Sequence, residues 1–556
     1  MKLPTVWEKN HGREIGKPTM QRPPLTRFES HYGDRTVRCF VERPNDLYAM
    51  FMSWVERKPS REAVVAEGGR YTCAEFEAWV SRLSAGLAAR GLGKGDRIAL
   101  LLDNGPEFVA VLFAAWRLGA IVVPVNTREQ APELRHLLGH AGAKIVVHEA
   151  ALAPLLPDGS EFEGGLRRIS TSSCSGSEPL SAVSDEHSAI GPAKVDEEDC
   201  AVLLYTSGTT GKPKAAMLTH LSIAHSALHY RLTMGLTESD RVLSCVPLSH
   251  VTGLVAMIAA TVASGGTLLI LRTFKAERFM ALAEQERMTY TLMVPAMYNL
   301  CAMRPEFSQC DLSSWRIGGY GGAPMPPSLI ARLAQMLPSL ALVNVYGATE
   351  TTSPATMMVA DANGRRNDSV GQAVVCGHVL VMDETGAEVP RGSAGELWIG
   401  GPMVACGYWA DEAATAREFT AGYWHSGDIG SIDEQGFVRV FDRKKDMINR
   451  GGYKIYAVEV ESVLVSHPSV TEAAVVAKPC EVLGERVHAF VVQTDADAAI
   501  DAEALKAFCA AQLADYKVPE SFTLLQDALP RNANGKILKR SLRESLWTDD
   551  HAKSGS

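Results

Sequence analysis

Residues 201–214 read Ala-Val-Leu-Leu-Tyr-Thr-Ser-Gly-Thr-Thr-Gly-Lys-Pro-Lys, and this run constrains the fold more than any other stretch. Its first four residues have the length and character of a buried strand. The ten that follow, residues 205–214, hold four Ser/Thr hydroxyls, two glycines and two lysines. Glycine lets a backbone turn sharply and bring its N–H groups close to a ligand. Hydroxyls donate further hydrogen bonds, and lysines bring positive charge. Such a loop suits a polyanion, most simply a nucleotide triphosphate. It is not the common ATPase loop, because Pro213 stands where that pattern wants its second Gly after Gly208. A polar surface turn is the ordinary reading of a Gly/Ser/Thr loop, and this string is far less generic than that. A phosphate loop also needs a rigid sheet behind it.

The neighbouring sequence supplies one. Phe76, Val80, Leu83 and Leu87 recur on one helical face, and Gly91 and Gly93 end that helix. Residues 63–65, 97–102, 121–123 and 144–147 read as short apolar strands, with helices over 106–118 and 132–140. This alternation predicts an α/β layered fold with largely parallel strands. Residues 160–198, rich in Ser, Gly, Glu and Asp, are expected to be a surface connection. The first forty residues, rich in Pro and Arg, are expected to be an arm over the domain. Residues 251–271 form the most membrane-like run, but Ser264-Gly265-Gly266 interrupts it. A buried helix, a turn and a buried strand are expected there, with a membrane span as the lesser alternative.

A chain of 556 residues is long for one domain, so at least two are expected. Its hydrophobic content of 46% suits a large globular core. A net charge of −9 argues against nucleic acid as the main partner. The 11 cysteines are scattered without Cys-x-x-Cys spacing, which predicts reduced thiols in a cytoplasmic protein. Residues 1–14 are charged and lack an apolar core, so no secretory leader is expected.

Further strings carry chemistry. Residues 247–253 place His250 after an apolar strand and before a Gly. Residues 316–324 set four glycines around Tyr320, which is costly in backbone entropy unless something approaches closely. Residues 344–352 read Asn-Val-Tyr-Gly-Ala-Thr-Glu-Thr-Thr. There Tyr346 offers a flat face for a base, Thr349 a donor for a phosphate oxygen, and Glu350 a hard oxygen ligand suited to Mg²⁺. Asp428 follows Ser426-Gly427, ordinarily a turn position. Residues 442–454 form a charged stretch ending in Gly451-Gly452-Tyr453-Lys454, and residues 529–539 present Lys536 after an Asn-Gly turn.

Taken together and in this order, these strings resemble the AMP-forming acyl-CoA synthetases, a superfamily that also holds peptide-synthetase adenylation domains and luciferases. The resemblance covers roughly residues 50–545. It implies a large N-terminal domain, residues 1–442, with multi-layered and mostly parallel sheets that bind ATP and the acyl group. It also implies a small, mobile α+β lid, residues 443–556. Thr206, Ser207, Gly208, Thr209, Thr210 and Lys214 would hold the phosphates, with Thr206 and Glu350 at Mg²⁺. Gly322, Ala323, Tyr346 and Gly347 would flank adenine. Thr349 would meet phosphate, and Asp428 and Arg443 the ribose. His250 would border the acyl pocket, whose walls would come from residues 250–254, 293–298 and 318–320. Lys445 would be the hinge, Lys536 would complete the adenylation site, and the stretch around Gly452 would line a channel for the CoA thiol. Residues 395–409 match a motif read as structural. Two departures touch loop geometry: Ala215 stands where Gly usually follows the loop, and Ala457 where many members have Pro.

The implied activity is carboxylate–CoA ligation with ATP, Mg²⁺ and CoA. Partners would be a small carboxylic acid, ATP and CoA, with no nucleic acid and no integral membrane segment; a homodimer stays open. Two alternatives remain. One is an adenylating enzyme that loads an external carrier protein. The other is a non-catalytic nucleotide-binding relative, against which the intact Glu350, Asp428 and Lys536 speak.

Overall fold

The computed structural model describes residues 24–185, 190–206, 213–359, 368–493, 501–531 and 537–553. Strands Arg97–Leu101, Ile121–Pro124 and Ile145–His148 are apolar on both faces and lie side by side in parallel. Continuous apolar runs of this kind are what a sheet covered on both sides demands. They belong to a seven-stranded sheet in which Cys200–Thr206 pairs in parallel with Ile121–Pro124 and antiparallel with Lys214–Thr219.

A second sheet of nine strands has a parallel centre and antiparallel ends. Strands Arg241–Ser244, Thr267–Ile270, Tyr290–Met293, Ile317–Gly321 and Ala341–Tyr346 form much of the parallel part. Alternation along each strand assigns the layers. Ile98 and Leu100 join one apolar cluster with Val242, Leu268 and Leu292, so a shared core lies between the two sheets. Ala99 and Leu101 face a separate cluster with Leu134, Leu137 and Leu138 of helix Ala131–Ala141. On the far side of the second sheet, Leu243, Leu269 and Met293 pack with Phe279, Tyr298 and Leu333. Helices Cys73–Ala89, Pro106–Arg117 and His220–Met234 fill the shared core, which explains why the second and third are buried nearly all round. The α/β expectation holds, with helix, sheet, helix, sheet and helix in succession.

Two stretches differ from expectation. Residues 160–198 are more than a connection: Arg167–Ser170 and Glu178–Pro179 extend the first sheet. Only Ile169 and Ser170 of the first of these are buried, so its sequence carries almost no apolar signal. Within the expected arm, Thr26–His31 and Arg35–Phe40 form an antiparallel hairpin. Arg43 and His31 tie it to Glu197 and Glu198. The run over residues 251–271 resolves as expected into a buried helix, a turn and strand Thr267–Ile270. The first part of that helix, Thr252–Ala259, is π-helical. Among the described residues, no helix is long and apolar enough to cross a membrane.

A third sheet, antiparallel throughout, includes Gly395–Gly400, Tyr423–Ile432 and Val438–Arg443. Its Leu397, Ile399 and Trp424 close the shared core. After Arg443 a separate, smaller unit begins. Ile448–Arg450, Tyr453–Ile455, Val470–Cys480 and Gly484–Gln493 pair antiparallel, and Ser521–Leu525 joins in parallel. Helices Ala457–Val465 and Ala502–Ala510 cover one face, and Lys539–Lys553 covers the other. Four contacts mark the joint. Arg543 donates to the Lys445 carbonyl at 3.0 Å and pairs with Asp446 at 3.2 Å. Ala457 N–H donates to the Asp442 carboxylate. Lys454 reaches back to Glu384 at 3.4 Å.

Candidate active site

The site begins where Cys200–Thr206 ends. Thr206 is the strand's last residue and its antiparallel partner is Lys214, so the phosphate-loop string connects two paired antiparallel strands. Ser207, Gly208, Thr209 and Thr210 come between these paired ends in sequence and lie outside the described residues. The Thr206 hydroxyl lies 3.5 Å from Oε1 of Glu350, a residue 144 positions later. Glu350 sits in the turn after Ala341–Tyr346, and its carbonyl accepts from Ala405 N–H at 2.8 Å.

Glu350 is 8% exposed, and burial pushes its carboxyl above the ordinary range. Among the described residues no Lys, Arg or His forms an ion pair with it. A buried carboxylate with a hydroxyl beside it and no ion-pair partner among the described residues is a donor set that fits Mg²⁺, which prefers hard oxygen ligands. The Tyr408 hydroxyl contacts the same Oε1 at 3.0 Å and Oε2 of Glu418 at 2.7 Å.

Lys214 is turned from the loop into the protein. It is buried, its ammonium pairs with Glu418, and it lies 5.1 Å from the Tyr408 ring centre. Burial raises the Glu418 carboxyl, but Lys214, Tyr408 and Arg417 outweigh it and leave the group below the usual range.

A second cluster joins three of the expected nucleotide residues. The Tyr346 hydroxyl donates to Asp428 Oδ2 at 2.5 Å, and Arg443 Nε pairs with Oδ1 at 2.8 Å. Asp428 and Arg443 face each other across adjacent strands, and Arg443 also donates to the Ser426 carbonyl at 3.1 Å. Burial and the neighbouring Asp428 push the Tyr346 phenol well above its ordinary range, so it stays a donor.

Thr349 and His250 line one small cavity of about 40 Å³ with Tyr205 and Glu129. Gly322 and Ala323 are exposed just past strand Ile317–Gly321, and Gly347 is exposed just past Tyr346. The glycine run has a structural cause as well: a Cβ on Gly321 would come within 2.4 Å of the Val345 carbonyl oxygen, and one on Gly319 within 2.9 Å of Leu292. Lys445 is exposed at the joint, and Gly452 turns the hairpin between Ile448–Arg450 and Tyr453–Ile455 at φ +92°. Lys536 lies outside the described residues, in the segment bracketed by the Arg531–Ile537 bridge.

Sequence reasoning missed Tyr408 and Glu418. Tyr408 stands in the stretch read as structural, and its partner Glu350 is 58 residues away. Lys214 and Glu418 are 204 residues apart, so no local pattern ties them.

The model of the AMP-binding enzyme family matches residues 51–409, and that of the AMP-binding enzyme C-terminal domain matches residues 459–536. The chain is 36% identical over 496 residues to a feruloyl-CoA synthase from an Amycolatopsis species, covering 88% of this chain and 98% of that one. It is 35% identical over 476 residues to a long-chain-fatty-acid–CoA ligase of Mycobacterium tuberculosis, covering 85% and 93%. Among solved structures, it is similar to the o-succinylbenzoate CoA synthetase of Bacillus subtilis in complex with its acyl-adenylate intermediate. That match has a TM-score of 0.81 at 30% identity, covering 90% of this chain and 98% of the other.

Proposed function

This chain belongs to the AMP-binding enzyme family, and we propose that within it the chain is an AMP-forming carboxylate–CoA ligase. One observation carries the reading: Thr206 and Glu350 meet at a buried carboxylate that forms no ion pair among the described residues, at the base of the phosphate-loop hairpin. In the first half-reaction a carboxylate oxygen attacks the α-phosphorus of ATP; the acyl–AMP bond forms and pyrophosphate leaves. In the second the CoA thiol loses its proton and attacks the acyl carbon, and AMP leaves with the electron pair of the broken bond. Bound Mg²⁺ would neutralise charge on the departing phosphates.

The chain's own share is positioning and charge neutralisation. Thr206 and Glu350 would hold the metal. Ser207, Gly208, Thr209 and Thr210 would cradle the phosphates. Tyr346, Gly347, Gly322 and Ala323 would border adenine, Thr349 a phosphate oxygen, and Asp428 with Arg443 the ribose. Lys536 would bridge the carboxylate and the α-phosphate. Residues 1–442 and 443–556 would act as body and lid about Lys445, with Gly452 serving the thiol step. The family match over 459–536 and the separate C-terminal sheet support that division.

The acid we propose has an uncharged tail, aliphatic or aromatic, and is not an amino acid. Residues 246–258 contain no Asp or Glu to hold an ammonium. Glu129, which lines the cavity at His250, is disfavoured in its charged form by burial. An ammonium buried without a counter-charge costs several kcal/mol, on the order of 5. The relatives that act on feruloyl and fatty acyl groups support the same class. A cytoplasmic setting fits a reaction fed by ATP and CoA, and all eleven cysteines are unpaired. A homodimer is the assembly to test by light scattering.

The deciding experiment is carboxylate-dependent exchange of labelled pyrophosphate into ATP over a panel of acids, followed by free CoA against a carrier thiol as acceptor. Exchange with aryl or fatty acids and thioester formation on CoA are expected. No exchange with any acid would reduce the chain to a nucleotide-binding relative, and transfer only to a carrier would favour the loading enzyme. Turnover of free α-amino acids, with fatty and aryl acids inert, would overturn the substrate class.

A further inference from the structure

The contacts around Glu350 close on themselves. Thr206 pairs with Lys214 across the hairpin. The Lys214 ammonium pairs with Glu418, and Glu418 Oε2 takes the Tyr408 hydroxyl at 2.7 Å. That hydroxyl lies 3.0 Å from Glu350 Oε1, which faces the Thr206 hydroxyl at 3.5 Å. Two of the five members, Thr206 and Glu350, are those expected to hold the metal. The other three are protein-held and buried or half-buried: Tyr408 is 3% exposed and Lys214 8%, with the Glu418 side chain at 24%.

We propose that Tyr408 and Glu418 are positioning residues: they fix Glu350 and Lys214, and through them the affinity of the adenylation site for Mg·ATP. The inference rests on the ligase reading given above and deepens it. Lys214 is then a strut under the loop, with its charge spent on Glu418, and phosphate contact falls to the loop's other donors. Glu418 is the group that keeps Lys214 there. A buried ammonium is costly without a partner, and here it has a carboxylate at its tip and an aromatic face along its side. Tyr408 has one proton and two carboxylate neighbours, so its position fixes the spacing between Glu350 and Glu418. Phe419, edge-on to the Tyr408 ring at 5.5 Å between centroids, and the Thr415 hydroxyl, 2.9 Å from Tyr408 N, hold the tyrosine itself. The position of Glu350 is thereby set by contacts within the protein.

Tyr408→Phe and Glu418→Gln test this, since both keep side-chain size. Binding of Mg·ATP is measured by calorimetry, beside binding of ATP in excess EDTA and thermal unfolding. Thioester formation is measured from supplied acyl-AMP plus CoA. Affinity for Mg·ATP should fall roughly tenfold or more in each variant, the loss typical of a hydrogen bond to a charged group. Binding of metal-free ATP should change far less, and the acyl-AMP half-reaction should keep its wild-type rate. Glu418→Asp should recover part of the loss. Unchanged Mg·ATP affinity would overturn the proposal. So would equal losses with and without metal alongside a lowered unfolding temperature, because that is the mark of a general packing role. If Tyr408→Phe fails to fold, Glu418→Gln decides alone. Wild-type protein without pyrophosphate exchange would sink the ligase reading, while selective loss of Mg·ATP binding in the variants would still support the positioning role.

Discussion

Asp428 is held from two sides by the protein itself, by Tyr346 on one oxygen and Arg443 on the other. A carboxylate has about four lone-pair sites, so these two partners do not by themselves exhaust it, and the proposed role is to hold the ribose hydroxyls. Asp428→Ala should therefore raise the KM for ATP roughly tenfold or more, since hydrogen bonds to a charged group are worth about 1.5–3 kcal/mol each. The order of preference among acids should not change. Steady-state kinetics over an acid panel checks both, and an unchanged KM for ATP would mark Asp428 as a turn residue only. Tyr346, Glu350, Asp428 and Arg443 could be singled out in sequence because each sits in a dense local string of Gly, hydroxyl and charged residues. Lys214 was legible as a charge but its direction was not. Whether a lysine faces a loop or a half-buried Glu418 is decided by a contact spanning 204 residues. Tyr408 is a plain Gly-Tyr-Trp tyrosine until folding sets it beside Glu350.

Elements were legible in proportion to their burial. Strands covered on both faces, such as Ile121–Pro124 and Ile145–His148, read as unbroken apolar runs. The hairpin Thr26–His31/Arg35–Phe40 and the edge strand Arg167–Ser170 did not, because charged and polar residues fill their open sides. The π-helical start at Thr252–Ala259 was also hidden, since its composition is that of any buried helix. Gly253 anchors that element: a Cβ there would stand 2.2 Å from the Pro247 carbonyl oxygen and 2.6 Å from Leu248 Cα. Both contacts are backbone, which cannot swing aside. Gly253→Ala should destabilise the protein by about 1–3 kcal/mol, the usual cost of overpacking, and disturb His250, whose carbonyl accepts from Leu254 N–H at 2.9 Å. Denaturant unfolding measures the first effect and acid specificity the second. A variant as stable as wild type would mean that the 247–253 turn can move as a unit.

At the scale of the whole molecule, the proposal assigns different residues to the two half-reactions. Lys536→Ala should slow acyl-AMP formation roughly a hundredfold or more, the common cost of one preorganised contact in the transition state. Given acyl-AMP and CoA, the same variant should make thioester at near wild-type rate. Lys445→Pro should do the reverse, because a fixed φ at the joint hinders rotation of the lid. Equal slowing of both steps by Lys536→Ala would end the idea that this lysine acts in one orientation only. The contacts at the joint carry one more consequence. Lys454 and Glu384 are 56% and 82% exposed, so their attraction crosses water. Mobile ions screen such a pair: the Debye length shrinks from about 8 Å near 0.15 M to about 3 Å at 1 M. The Thr206–Lys214–Glu418–Tyr408–Glu350 circuit is largely shielded from those ions. Ionic strength should thus act on the balance between lid orientations more than on the adenylation chemistry. The ratio of the two half-reaction rates should drift as salt is raised, even where Mg·ATP binding holds steady.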